Sequence, residues 1–302
     1  MTKMALTGIS GGNPLGFMSA LGALLLMREV NPCIKLSWEK TGGGWQPVVH
    51  GCAAERDSFV ETLLHMLKNA SLEPFEIDKK LPFPVGAFIS KLIDAQARSK
   101  LEDRRLVDLL AAYGTELHPK GELFEDTSFR MVRTGDSNKQ GLLSYAVAIK
   151  KSVTADTLRR ALFEPWNYRD YGPILRWDPI EDQRYALVWN NPEDKAKKQV
   201  KVMLGADALA LEALAFFPVI PEKKGAITTG FFRSGLRQFF TWPIWIYPAT
   251  VDVVRSLITT PELHREYPGR DELATRGISE IFRCERMAPN KYYKNFTVGV
   301  PV

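Results

Sequence analysis

Cysteine and histidine, which build disulfides and many metal centres, are scarce in this chain. Only three of its 302 residues are cysteines and only four are histidines. Cys33, Cys52 and Cys284 form no CxxC pair, which argues against a disulfide framework and against a zinc ribbon. The histidines stand singly, without the HxxxH spacing of a metal-binding helix. The sequence therefore predicts neither a bound metal nor an organic cofactor.

Long hydrophobic runs are missing as well. The longest, Pro14–Met27, is shorter than the roughly 20 residues that a membrane-spanning helix needs. Only one basic residue, Lys3, precedes this run, and the strand-like segment Ile34–Trp38 follows it, which is not the pattern of a secretory signal peptide. We expect a cytoplasmic protein with no membrane partner.

Recognisable catalytic motifs are absent from the sequence. Ser10 and Ser144 lie in no GxSxG motif, and the chain contains neither an HExxH zinc motif nor the motifs of a helicase. Asp178, Glu181 and Asp182 lie between two predicted strands, where they would either cap a polar turn or bind a divalent cation for phosphodiester hydrolysis. The sequence favours a protein that is not an enzyme, and a metal-dependent phosphodiesterase stays as the alternative.

The order of predicted helices and strands is that of an α+β protein. The sequence is 45% hydrophobic and 25% charged, which is typical of a globular chain. The elements do not alternate as in βαβ folds, so we expect a mixed, mainly antiparallel sheet packed with helices. We expect one globular unit over 1–302, or two lobes at 1–150 and 151–302. Helices are predicted from residue 14 and at 55–69, 85–113, 154–163, 206–217 and 249–258, and strands at 34–39, 45–51, 175–178, 184–189, 227–241 and 281–286.

The first predicted helix follows a glycine-rich turn formed by Gly11, Gly12 and Asn13. Asn13 suits the N-cap because its side chain can accept a free backbone N–H, and Pro14 suits the first helical position. Small residues then recur at spacings of three and four, which gives the helix a flat face and predicts a central position in the fold: Gly16, Ser19, Ala20 and Ala23. The turn would serve either as a structural turn or as an anion-binding site at a helix N-terminus, although it lacks the GxGxxG and P-loop patterns.

Charge is distributed unevenly along the chain. Forty Lys and Arg residues against 35 Asp and Glu residues give a net charge of +5, of which 1–150 carry +1 and 151–302 carry +4. Two stretches, 223–251 and 286–302, contain no acidic residue but combine basic with aromatic side chains. Lys and Arg neutralise phosphates and aromatic rings stack on unpaired bases, so this combination is typical of a nucleic-acid-binding surface.

Nine residues in or beside these stretches are predicted to bind nucleic acid: Arg233, Arg237, Trp242, Trp245, Arg283, Arg286, Lys291, Tyr292 and Lys294. The cations would hold phosphates, and the tryptophans and the tyrosine would stack on bases. The alternative is that the aromatic residues form a core and the cations are merely solvated, since aromatic residues at such density are usually buried.

Four patches of the sequence carry a family resemblance: Leu6–Gly22, Leu175–Leu187, Gly205–Leu214 and Thr241–Trp245. They resemble CRISPR-associated proteins of type I-G systems, formerly called I-U. Proteins of that group open with a strand, a turn that contains Asn-Pro or a similar pair, and a helix of small residues. Within the group, the chain is similar to the large subunit of the effector complex and to a shorter accessory family linked to the helicase–nuclease.

The resemblance implies a non-catalytic role in CRISPR antiviral defence, in which the protein binds nucleic acid, other effector subunits or both during interference. The expected partners are the helicase–nuclease or Cascade-type subunits, together with guide RNA or target DNA. A rival hypothesis is an adaptor for the helicase–nuclease that does not touch nucleic acid, with exposed aromatic residues forming a protein interface. The resemblance transfers no site residues, so the nine residues above depend on charge and aromatic pattern alone.

Overall fold

A computed structural model describes residues 2–80, 84–100, 104–120, 123–131, 141–181, 201–222, 225–290 and 293–302. Its helices are α1 (Pro14–Val30), α2 (Arg56–Asn69), α3 (Val85–Arg98), α4 (Arg105–Ala111), α5 (Leu142–Ser152), α6 (Ala155–Phe163), α7 (Leu204–Ala213), α8 (Val251–Ile258) and α9 (Arg270–Thr275). Within these ranges, none of the helices combines the length and the apolar character that crossing a membrane requires.

The strands form small antiparallel sheets and one larger sheet near the C-terminus. They are β1 (Lys3–Ala5), β2 (Lys35–Thr41), β3 (Gly44–His50), β4 (Gly114–Lys120), β5 (Leu123–Asp126), β6 (Asp170–Tyr171), β7 (Lys201–Val202), β8 (Val219–Glu222), β9 (Gly225–Thr228), β10 (Phe231–Ser234), β11 (Arg237–Trp245), β12 (Ile278–Asn290), β13 (Tyr293–Phe296) and β14 (Val300–Pro301). The predicted α+β class with mainly antiparallel pairing is confirmed.

Among the described residues, two sheets have more than two strands. The N-terminal sheet has the order β1-β3-β2, and the larger sheet has the order β10-β11-β12-β13, with β14 also paired to β12. The predicted hairpin at 34–51 is confirmed as β2 and β3, which pair along their whole length from Lys35 opposite His50 to Thr41 opposite Gly44. Buried hydrophobic residues from both halves of the chain, from Met4 to Phe296, belong to one continuous core.

Helix α1 begins as the sequence predicts. The Asn13 side chain accepts the Gly16 N–H at 3.1 Å, and Pro14 occupies the first turn, where its missing N–H costs nothing. Thirteen of the 17 residues of α1 are buried, and all ten residues of α7, which packs against it, are buried as well. The predicted central position of this helix is therefore confirmed.

The two central helices touch almost backbone to backbone. The Ser19 hydroxyl donates to the carbonyl of Ala206 on α7 at 3.0 Å, and a Cβ at Gly22 would stand 1.8 Å from the carbonyl oxygen of Leu209. Only a residue without a Cβ permits this approach, because such a distance is far inside van der Waals contact. Of the predicted small-residue face, Ser19 contacts α7, whereas Gly16 lies against the carbonyl of Ser10, and the closest approach is at Gly22, which was not part of the predicted face.

We expect Gly22→Ala to destabilise the protein by about 1–3 kcal/mol, because the added methyl group forces α1 and α7 apart. Gly86 on α3 is the matched control, since a Cβ there meets nothing within 4 Å. Gly86→Ala should leave the free energy of unfolding unchanged or raise it by up to about 1 kcal/mol, because alanine favours helix. Urea unfolding of both variants checks this, and equal stability of the two would contradict the packing argument.

Two sequence predictions differ from the structure. The single helix predicted at 85–113 is two helices, α3 and α4, because the apolar spacing continues across the break and does not reveal it. The strand predicted at 175–178 is irregular chain that leads into a short 3-10 turn at Pro179–Glu181. Leu175 and Trp177 are buried there while Arg176 is only partly so, and this alternation imitates a strand. The strand predicted at 184–189 lies outside the described residues.

Candidate anion-binding cleft

A basic cleft lies at the end of the larger sheet. It encloses about 660 Å³ between the β10–β11 hairpin, the strands β12 and β13, and the segment at 126–130. Five cations line it: Arg130, Arg233, Arg237, Arg286 and Lys294. Four of these five are among the nine residues predicted from the sequence, so the structure brings them together at one site.

The alternation of side chains along the strands explains why Arg233 and Arg286 lie on the same face of the sheet. Arg233 on β10 is paired with Gln238 on β11, and Gln238 shares a sheet face with Phe240 two residues later. Phe240 is in turn paired with Cys284, so Arg286 on β12 continues the same face. Toward the middle of the sheet this face is aromatic core, and toward the hairpin end it becomes the polar wall of the cleft.

Two of the five cations are neutralised within the protein. Arg130 is paired with Asp126, and the guanidinium Nη2 of Arg237 lies 2.5 Å from Oε2 of Glu285. Among the residues that the structure describes, no carboxylate comes within ion-pair distance of the other three: Arg233, Arg286 and Lys294. The cleft therefore holds more positive charge than its own carboxylates balance.

Hydrogen bonds to backbone carbonyls and to a side-chain amide hold Arg286 in the cleft wall. Its Nε donates to the carbonyl of Ser128 at 2.6 Å, and its Nη1 donates to Oε1 of Gln238 at 3.3 Å. Burial lowers the pKa of the Arg286 guanidinium to about 10, which leaves it charged at neutral pH. The charge is thus fixed in position before any ligand arrives, and such preorganisation favours anion binding.

Lys294 has a perturbed pKa in the same cleft. Burial disfavours its ammonium form, the like charges of Arg286 and Arg130 add to that effect, and together they outweigh the attraction of Asp126, so the pKa falls to about 8. A shift of this kind in a cleft, with a named charge partner, is characteristic of functional sites. An anionic ligand placed between Lys294 and Arg286 would relieve their repulsion.

Two predicted stacking residues, Trp242 and Trp245, do not lie on the surface, and this prediction is wrong. Their side chains are 0% and 1% exposed. The indole N–H of Trp242 donates to the carbonyl of Gly11 and that of Trp245 to the carbonyl of Leu36, each at 2.7 Å. Both rings are core residues that join the larger sheet to the N-terminal part of the chain, and they offer no face to a base or to a protein partner.

Arg283 is also structural, contrary to the prediction. It is only 8% exposed, and its guanidinium donates to the carbonyls of Arg265 and Glu266 at 2.6 and 2.7 Å. Its charged plane lies 4.2 Å from the ring centre of Phe232. These contacts fix the loop before α9, and Arg283 is not part of the cleft lining. Two further predicted residues, Lys291 and Tyr292, lie outside the described residues.

Backbone N–H groups of the glycine-rich turn before α1 already donate hydrogen bonds within the protein. The Gly11 N–H donates to the carbonyl of Trp45 at 2.7 Å, and the Asn13 N–H donates to the carbonyl of Ser10 at 3.1 Å. A Cβ at Gly12 would stand 3.2 Å from the Phe282 ring, so the turn is packed against the core. The structure supports the structural turn rather than an anion site at Gly11, Gly12 and Asn13.

The acidic residues considered for phosphodiester chemistry are buried. Asp178 and Glu181 are 2% and 1% exposed, and the Asp178 carboxylate accepts from the Tyr168 hydroxyl and from the Ile180 N–H, each at 3.0 Å. Asp178 thus caps the 3-10 turn, as the polar-turn interpretation predicted. Burial, together with the charge of Asp178, raises the pKa of Glu181 to about 8. Asp182 lies outside the described residues.

These carboxyl groups do not form a metal centre in the described part of the chain. There, no group of three or more His, Cys, Asp or Glu side chains is arranged to hold a metal ion. Asp207 on α7 is completely buried near Glu181, and burial, followed by the charge of Glu181, raises its pKa well above the usual range. Both carboxyl groups are enclosed by the fold, so neither reaches a phosphodiester at the surface.

The sequence reasoning missed most of the cleft lining, including Gln238, Arg130 and Ser128. Gln238 lies in an acid-free stretch but is uncharged, and only the β10–β11 register shows that it faces Arg233. Arg130 and Ser128 lie about a hundred residues earlier in the chain and reach the cleft because the Ser128 N–H donates to the Thr228 hydroxyl at 2.8 Å. No local pattern in the sequence signals this long-range contact.

The chain matches none of the protein-family models, and none of the curated proteins matches it at a significant level. The function of the cleft must therefore follow from the chemistry of its own residues.

Proposed function

We propose that the protein is a non-catalytic component of a type I-G CRISPR antiviral defence system and that its cleft binds the phosphate backbone of nucleic acid. The observation that carries the nucleic-acid part is the convergence of Arg233 on β10, Arg286 on β12 and Lys294 on β13. Among the described residues, these three cations have no carboxylate within ion-pair distance. The CRISPR setting is supported by the sequence resemblance of the four patches.

The chemistry of the cleft suits phosphates. An arginine presents a planar fork of donors to phosphate oxygens and a lysine presents a compact charge, and the cleft combines both types. Polar groups such as Gln238 and Ser128 line the cleft beside the cations, so its wall does not suit an apolar ligand. A polyanion that passes through the cleft would be held by several charges at once, and each phosphate contact releases a condensed counterion.

The salt dependence of binding tests the nucleic-acid part. Fluorescence anisotropy with labelled single-stranded and duplex DNA and RNA should show affinity that falls steeply between about 50 and 200 mM salt. Three phosphate contacts give a log–log slope of about −2 on single strands and about −2.7 on duplex DNA. Absence of binding, or an affinity that does not change with salt, would overturn this part of the proposal.

The gene neighbourhood tests the CRISPR part independently. We expect the gene to lie beside a CRISPR array and genes for other effector subunits, including a helicase–nuclease. Co-purification should then recover those subunits, together with guide RNA or target DNA. A locus with no CRISPR component would overturn the assignment to that system and would leave the cleft's affinity for phosphates as a separate question.

The pKa of Lys294 gives a pH dependence. Since this pKa is lowered to about 8, the ammonium is charged at pH 7 and is progressively lost as the pH rises through 8. Affinity for nucleic acid should therefore fall by up to about tenfold per pH unit above 8, because one proton must be bound again in the complex. Lys294→Arg keeps its charge and should abolish the decline. An equal decline in this variant would show that another group titrates.

A further inference from the structure

The hairpin between β10 and β11 ends in a two-residue loop at the rim of the cleft. Ser234 is paired with Arg237, which leaves only Gly235 and Leu236 to make the turn. Gly235 has a φ of +60°, as the first loop position of a type II′ hairpin turn requires. Both loop residues line the cleft. The tip is therefore short, held by strand pairing on both sides, and directed at whatever occupies the cleft.

The side chain at this tip is apolar and completely exposed. The relative exposure of Leu236 is 107%, higher than that of any other exposed large hydrophobic residue that the structure describes. The second loop position of a type II′ turn places no demand on the side chain, and polar residues usually occupy it. An exposed leucine lacks the favourable free energy that burial of its side chain would give. The requirements of the turn therefore do not explain why a leucine is present.

Cations flank this leucine on both strands. Arg233 is held by a bond from its Nη2 to the carbonyl of Ala226 at 3.0 Å. Arg237 lies with its guanidinium 4.8 Å from the ring centre of Phe239 and is paired with Glu285. A nucleic acid is charged along its backbone and apolar on the flat faces of its bases. Its phosphates would contact the cations, and a base would contact the leucine.

We propose that Leu236 inserts between neighbouring bases of the nucleic acid whose phosphates occupy the cleft. The inference rests on the proposed function, because the cleft must hold the backbone for the tip to reach the bases. Small apolar side chains such as leucine act in this way in proteins that unstack a base step, and the cost of unstacking is offset by the contacts that follow. The short, strand-anchored hairpin suits this role because it loses little conformational freedom on insertion.

Fluorescence of 2-aminopurine, which rises when the base is unstacked, tests the insertion. Single-stranded and duplex oligonucleotides that carry the probe are titrated with wild-type protein while anisotropy records binding. We expect fluorescence to increase on binding. Leu236→Ala should lose most of this increase and bind about tenfold more weakly, while keeping the wild-type salt slope because no phosphate contact changes. An increase seen only with the single-stranded or only with the duplex oligonucleotide supports insertion and shows which of the two forms is unstacked.

Ile93→Ala on α3 is the matched control, because Ile93 is 61% exposed, apolar and outside the cleft lining. This variant should keep both the affinity and the fluorescence increase. Wild-type binding in anisotropy without a fluorescence increase would overturn the insertion and leave the proposed function intact. A full fluorescence increase with Leu236→Ala would overturn it as well. No anisotropy change with any oligonucleotide would instead overturn the proposed function itself.

Discussion

Replacing Arg233 and Lys294 together by glutamate should lower the affinity for nucleic acid by at least about 100-fold, the largest effect on binding that we expect. Each cation makes a charge-assisted contact of about 1.5–3 kcal/mol with a phosphate, and each reversal adds repulsion. The log–log salt slope should also become shallower by about 1.4 on single strands, because two phosphate contacts are lost. Anisotropy titrations at several salt concentrations measure both quantities.

The fold should tolerate this double substitution. Arg233 is exposed, and the carboxylate of Lys294→Glu would be attracted by the charges of Arg286 and Arg130 and repelled by that of Asp126. The matched control replaces Arg169 and Lys151, one exposed arginine and one exposed lysine outside the cleft lining, by glutamate. The control alters net charge equally and should change affinity only slightly. Equal losses in both double variants would mean that overall charge, rather than the cleft, binds the ligand.

Trp242→Ala should lower the free energy of unfolding by about 3–5 kcal/mol, the largest effect on stability that we expect. The ring is fully buried. The distance from its centre to the centre of the Phe240 ring is 5.0 Å, and to that of the Phe17 ring 5.9 Å. Its loss leaves a large cavity and an unpaired carbonyl at Gly11. Guanidinium unfolding followed by tryptophan fluorescence and circular dichroism measures the change.

A milder variant separates structure from binding even if the alanine variant does not fold. Trp242→Phe keeps most of the ring volume and removes the N–H donor, so stability should fall by about 1–3 kcal/mol while affinity for nucleic acid is unchanged. Tyr247→Ala is the control, because Tyr247 is 69% exposed and should cost less than about 0.5 kcal/mol. Weakened binding by folded Trp242→Phe would contradict the assignment of this ring to a purely structural role.

Local chemistry allowed much of the N-terminal fold to be predicted. Asn13 and Pro14 specify the start of α1, and Thr154 with Thr157 forms the capping box that starts α6 close to the predicted residue. These signals depend on neighbours three or four residues away, which a sequence displays directly. The break between α3 and α4 has no such signal, since the apolar spacing of the two helices is continuous.

The candidate site could be predicted only in part. Arg233 and Lys294 were identified because the stretches around them lack acidic residues, and composition is visible without a structure. Trp242 belongs to the same stretch, but composition does not say which face of a strand is covered. Burial was decided by the register of β11 with β12 and by the packing of Phe17 from α1, which are contacts between distant parts of the chain.

The backbone contact between α1 and α7 affects the order in which the protein can fold during synthesis. In sequence, 187 residues separate Ser19 from the carbonyl that it contacts on α7. At about 5–20 residues per second, a ribosome needs roughly 10–40 s to produce the second helix after the first. During this time the flat apolar face of α1 has no native partner, so the nascent chain exposes a surface that chaperones recognise and that aggregation exploits. Efficient production should therefore depend on chaperone supply and on slow expression at low temperature.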